Sequence, residues 1–166
     1  MDMERRIPLP IFIIVIIQCI VLLGHAFYFG FIGWNWGFNE RFINYIVNDS
    51  FFLILIMVAL VGLLLHKTWS WWMSTIIFAM LFLSNFISLI GLFIAQLDMT
   101  GYSFSIASMF YDILILFSFF IGLVLLFLPY IRKKYSVSIS TGQTIFFVGV
   151  GAIILYMLYF ILMIII

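Results

Sequence analysis

Most of this chain is taken up by five long, predominantly apolar runs, at residues 9–32, 50–66, 72–95, 105–130 and 144–166. A helix needs roughly 20 apolar residues to cross roughly 30 Å of hydrocarbon. Four runs meet that length. The second does so only if its helix begins ahead of Asp49, near Ile43. As strands the runs would be too long, and they lack the alternation of a membrane barrel. Lipid offers no partner for backbone amides, so helices are the remaining way to span. The expected fold is all-α: a polytopic transmembrane helix bundle of about five spans, forming one domain over residues 1–166.

Composition points the same way. Apolar residues make up 67% of the chain and charged ones 8%, against about 45–50% and about 25% in soluble domains. A water-soluble fold could not cover its surface from so few polar groups. The partner this implies is the lipid bilayer. With a net charge of +1 and no basic stripe, nucleic acid is not expected. Cys19 is the single cysteine, which rules out an intrachain disulfide or a cysteine-based zinc site. It reads as a small packing residue.

The breaks between runs carry helix punctuation. Pro8 and Pro10 stand where the first helix begins, a position that tolerates proline. Asp49 or Ser50 is placed to cap the second helix and Thr68 or Ser70 the third. Ser140 and Gln143 have capping-box spacing ahead of the fifth. Pro129 is expected in the last turn of the fourth. Trp34, Trp36, Trp69, Trp71 and Trp72 cluster at the breaks and read as interface anchors, because their amphipathic rings favour the headgroup level.

Orientation follows from the basic residues. Arg5 and Arg6, Lys67, and Arg132 to Lys134 share one side of a five-crossing chain, and only Arg41 falls on the other. The positive-inside rule places the N-terminus in the cytoplasm and the C-terminus outside, in a plasma (cytoplasmic) membrane. A competing reading treats residues 1–26 as a secretory signal, with Gly24 and Ala26 at small-residue spacing. The apolar run continues through Phe31 with no polar segment, which favours an uncleaved anchor.

Catalytic equipment is sparse. No zinc-protease spacing, phosphate loop, nucleophile elbow or paired carboxylates occur, so neither an enzyme nor a cofactor is expected. The polar residues inside the runs are Gln18, His25, Asn85 and Asp112, plus serines. Such groups usually face a bundle interior. At about 1.5 Å per residue, His25 and Asp112 lie roughly 10 Å, and Asn85 roughly 15 Å, below the outer ends of their helices. Gln18 and His25 share a face, and Ser105, Ser108 and Asp112 form a polar stripe. Ser84, Ser88, Gly91 and Ala95 form a small-residue stripe beside Asn85, of the kind that lets helices approach closely.

Two readings of these groups stand side by side. In one, Asp112, His25, Asn85 and Gln18 make a polar pocket in the outer half of the bundle. In the other, they are interhelical packing bonds. From Phe38, the positions Phe42, Tyr45 and Ile46 give residues 34–48 an apolar side. That segment is either a short helix in the outer interface or a lead-in to the second crossing. His66, beside Lys67, reads as solvated or headgroup-facing. Lys67 and Arg132 to Lys134 read as topology determinants that also attract anionic headgroups.

The function expected from this set is a small integral membrane protein without catalytic machinery. It would be an accessory subunit or a protective, immunity-like protein, working with another membrane protein or as a homo-oligomer. The alternatives are a small oligomeric transporter or channel using the polar pocket, and a membrane enzyme acting on lipid through Asp112 and His25.

Overall fold

A computed structural model describes residues 8–98 and 106–165. The described residues form six helices and no strand. These are α1 (Leu9–Trp36), α2 (Glu40–Leu64), α3 (Thr68–Asp98), α4 (Ile106–Phe127), the short α5 (Pro129–Lys134) and α6 (Thr141–Ile165). The all-α bundle is as expected. Four helices are long and apolar enough to cross a membrane: α1, α3, α4 and α6. In α2 the wholly apolar part is only Ser50–Leu64.

Several boundaries differ from expectation, each for a local reason. The second helix starts at Glu40, and its cap is Asn39, whose side chain accepts from the Phe42 amide at 2.9 Å. Asp49 and Ser50 therefore lie inside the helix, and residues 40–48 are the lead-in. Gly37, at φ +75°, makes the preceding turn, a conformation open mainly to glycine. Thr68 is the first residue of α3 rather than its cap, and the Ser70 hydroxyl turns back to the Lys67 carbonyl. Pro129 does not end α4. The chain breaks at Leu128, and Pro129 opens α5, because a missing N–H costs nothing in a first turn. The capping box at Ser140 and Gln143 forms in both directions: the Gln143 amide donates to the Ser140 hydroxyl at 3.3 Å, and the Ser140 amide to the Gln143 side chain at 3.4 Å.

Helix faces follow the 3.6-residue period. On α1, Ile11, Ile14 and Gln18 are buried. On α2 the buried positions are Phe52, Ile56, Ala59 and Leu63, and on α4 Phe119 and Leu126. The start of α3 is buried almost all round, from Ser70 to Met80. It is the hub, packed on α2, α4 and α6, while α1 closes against α2 and α4. Glycines set the closest approaches: a Cβ on Gly122 would overlap the Phe78 ring, and one on Gly62 would stand 2.5 Å from Ser70 Cβ.

One end of the bundle is tied together. The Tyr135 hydroxyl donates to the Leu63 carbonyl at 2.7 Å, and the Trp71 indole to the Leu126 carbonyl at 3.0 Å. Ile11 and Ile14 join Leu63, Trp71, Leu126, Ile131 and Tyr135 in one apolar cluster. The start of α1, the end of α2, the start of α3 and the end of α4 thus meet there. Since α2 begins just past the far end of α1, it runs the length of the bundle; its 25 residues reach about 37 Å. Toward the far end packing thins. Leu23, Phe27 and Phe31 of α1, Phe86, Ile87 and Ile90 of α3, and Phe110 and Leu114 of α4 are exposed.

Candidate functional site

The four polar residues expected to form a pocket each meet a separate fate. Gln18 is buried and donates from Nε2 to the Ser74 hydroxyl on α3 at 3.1 Å, while its Oε1 is buried without a partner. The His25 Nδ1 sits 2.9 Å from the Val21 carbonyl, and Asn85 donates to the Leu81 carbonyl at 2.8 Å. Both side chains are therefore spent on their own helices, four residues back. Asp112 is half-buried on α4. Among the described residues no hydrogen bond joins any two of His25, Asn85 and Asp112. Ser105, at the head of the polar stripe, lies outside the described residues, as do the side chains of Ser108 and Ala95. Gln18 is the one of the four that links two helices.

The tryptophans divide similarly. Trp34 is exposed, and Trp69 stands partly exposed at the basic end. Trp71 is fully buried, and its indole N–H is used on α4 rather than at a headgroup level. Trp72 packs edge-on against it, with centroids 5.1 Å apart. The Trp36 side chain lies outside the described residues.

The polar structure with most convergence is at the tied end. Both basic turns close their helices with the same backbone device. After α2, the Lys67 amide reaches the Gly62 carbonyl and the His66 amide the Leu63 carbonyl. After α5, Val137 reaches Arg132 and Ser136 reaches Lys133. These are paired six-to-one and five-to-two closures. The left-handed position is His66 (φ 54°) in one and Ser136 (φ 55°) in the other, where glycine is usual. The turns then touch: the His66 and Tyr135 rings stand edge-on at 6.0 Å. Burial, and secondarily the nearby Lys134 charge, hold the His66 pKa below its ordinary value. His66 Nδ1 is buried without a hydrogen-bond partner, while the residue as a whole is partly exposed, as the expected solvated or headgroup-facing histidine would be. Burial pushes the Tyr135 phenol up to about 12.

Arg132 is the residue that sequence reasoning undervalued. It was expected to face headgroups with Lys133 and Lys134, yet it is only 9% exposed. Its guanidinium donates to the Thr141 hydroxyl at 2.7 Å, the Thr144 hydroxyl at 2.9 Å and the Ile139 carbonyl. Thr144 in turn donates to the Ser140 carbonyl at 2.8 Å. Arg132 therefore clamps α5 to the start of α6. The legible signal was the hydroxyl-rich stretch from Ser136 to Thr144 directly after the basic cluster. Among the described residues no group of three His, Cys, Asp or Glu side chains is placed to hold a metal ion. Comparison with protein-family models, with curated proteins and with solved structures finds no match.

Proposed function

We propose that this chain is a multi-pass membrane protein of the cytoplasmic membrane, crossing five times with its N-terminus inside, and that it serves as a non-enzymatic accessory or protective subunit beside another membrane protein. The observation that supports this reading is the uneven packing. The basic end is knitted by hydrogen bonds and a buried core. The opposite half leaves apolar faces of α1, α3 and α4 uncovered. On α3 that open face includes Ser88 and Gly91, and a Cβ on Gly91 would meet nothing. Small residues favour close helix–helix contact in lipid, and among the described residues no helix occupies the place. His25 and Asn85 bond back to their own helices, which gives no support to a conduction path through them.

Co-purification in a mild detergent tests the proposal. A stoichiometric membrane partner is expected, and Gly91→Leu is expected to release it while leaving the melting temperature of the isolated chain unchanged. A clean monomer with no partner would count against it. Asp112→Asn separates the transporter reading: a packing carboxyl tolerates the amide, whereas a proton or cation carrier loses activity.

A further inference from the structure

We propose that the recess at the basic end is a binding site for a phosphate group, held by Arg132 and Lys133. The recess has a volume of about 430 Å³, and its lining includes Arg132, Lys133, Ser136 and Ser138 beside the apolar Pro129 and Val137. A volume of this size accommodates a small ligand or a headgroup.

The charge balance carries the inference. Arg132 is nine-tenths buried, and all its hydrogen-bond partners are neutral oxygens. Its Nε is buried without a partner. Taking a guanidinium out of water without a counter-charge is costly. Among the described residues no Asp or Glu occurs in 8–39, 50–97 or 113–165, the segments that build this end; Asp2 and Glu4 lie outside the described residues. Lys133 lines the same recess, and Lys67 and Lys134 carry the same sign in the two turns of this end. The turn therefore holds a buried cation whose counter-ion the described chain does not supply, in the wall of an open recess that exposed serine hydroxyls also line. With its Nη2 hydrogens and one Nη1 hydrogen held in the clamp, Arg132 meets a phosphate with its charge and its remaining Nη1 hydrogen, and Lys133 adds a point charge. A structural clamp between α5 and α6 needs hydrogen bonds from Arg132 but not a row of cations. The recess is what the clamp leaves unexplained.

A membrane phospholipid and a free phosphate present the same group. The lipid source rests on the membrane reading above; the phosphate chemistry does not. In the test, the full chain is purified in an uncharged detergent and washed free of lipid. It is then titrated separately with short-chain phosphatidylglycerol, with phosphatidylcholine and with inorganic phosphate, and binding is read from tryptophan fluorescence and the melting temperature. Saturable binding of phosphatidylglycerol, at least about tenfold tighter than phosphatidylcholine, is expected. Lys133→Ala is expected to weaken it about fivefold. Arg132→Lys keeps the charge but loses the planar group that the clamp holds against the recess, and is expected to weaken it further. Should Arg132 variants fail to fold, Lys133→Ala combined with Ser138→Ala alters only exposed positions and reads the same site. Saturation by inorganic phosphate alone would retain the site and reassign its source. No saturable binding of any probe, or wild-type binding by the Lys133/Ser138 variant, would overturn the proposal. A chain that stays monodisperse without detergent would defeat the membrane reading instead, which keeps the two failures apart.

Discussion

At the scale of single residues, His66 and Gln18 show how burial turns a modest side chain into a constraint. The folded-state pKa of His66 is depressed below 6.5, so the unfolded chain binds its proton more readily. Its contribution to stability is complete above pH 6.5 and is lost as pH falls toward the folded value. Thermal melts in detergent at about pH 7.5 and about pH 5.5 are expected to show the lower stability at the acid value. His66→Asn, which tolerates a left-handed backbone, should flatten that difference. Gln18 and Ser74 offer a second measurement. Interhelical hydrogen bonds in lipid average about 0.6 kcal/mol, and a double-mutant cycle of Gln18→Leu and Ser74→Ala should return a coupling of about that size. A value near zero would mean that the pair merely shares space. Both residues could be named as polar and intramembrane or juxtamembrane from the sequence. Their partners lie dozens of positions away (Ser74 for Gln18, Tyr135 for His66) and became visible only when the helices were packed.

At the scale of elements, glycine positions separate real packing seams from open faces. Nothing in local sequence distinguishes Gly122 from Gly24, since each lies inside an apolar run. The structure places the Phe78 ring against Gly122, whereas a Cβ on Gly24 would meet nothing within 4 Å. Gly122→Ala is therefore expected to destabilise the fold by about 1–3 kcal/mol, read as a lower melting temperature in detergent. Gly24→Ala should be neutral or slightly stabilising, because alanine is the better helix former. Equal effects at the two sites would mean that α3 and α4 do not pack along this seam. Helix ends were partly legible. The Ser140/Gln143 box was readable because its two partners are three residues apart. The start of α2 was read only approximately, near Ile43, because charged residues at its head resemble a surface loop until Asn39 is seen to cap them.

At the scale of the whole molecule, the arrangement of ends gathers the basic turns together. The structure ties the α2–α3 turn to the α5 turn and sets the start of α1 against both. Every basic residue from Lys67 to Lys134 therefore lies at one end. Ile11, Ile14 and Gln18 of α1 are part of the core at this end. Single-cysteine labelling tests the five-crossing reading. With Cys19→Ala as background, Asn44→Cys is expected to react with a membrane-impermeant maleimide in intact cells, and Ser138→Cys only after lysis. Labelling of both from outside would refute the positive-inside assignment.

The sequence by itself determined that this chain forms long helices suited to lipid. That property depends on the length and polarity of contiguous runs, and each run satisfies its own amide groups. It also determined that the basic residues from Lys67 to Lys134 fall in breaks between the runs, and antiparallel packing of neighbouring helices brings those breaks to one end. Only the tertiary structure decided which polar groups meet. A helix face is known from sequence only as an angle, and the partner across it depends on how neighbouring helices turn about their axes. Hence Trp71 goes inward to α4, Arg132 binds its own connection to the start of α6, and His25, Asn85 and Asp112 share no hydrogen bond among the described residues.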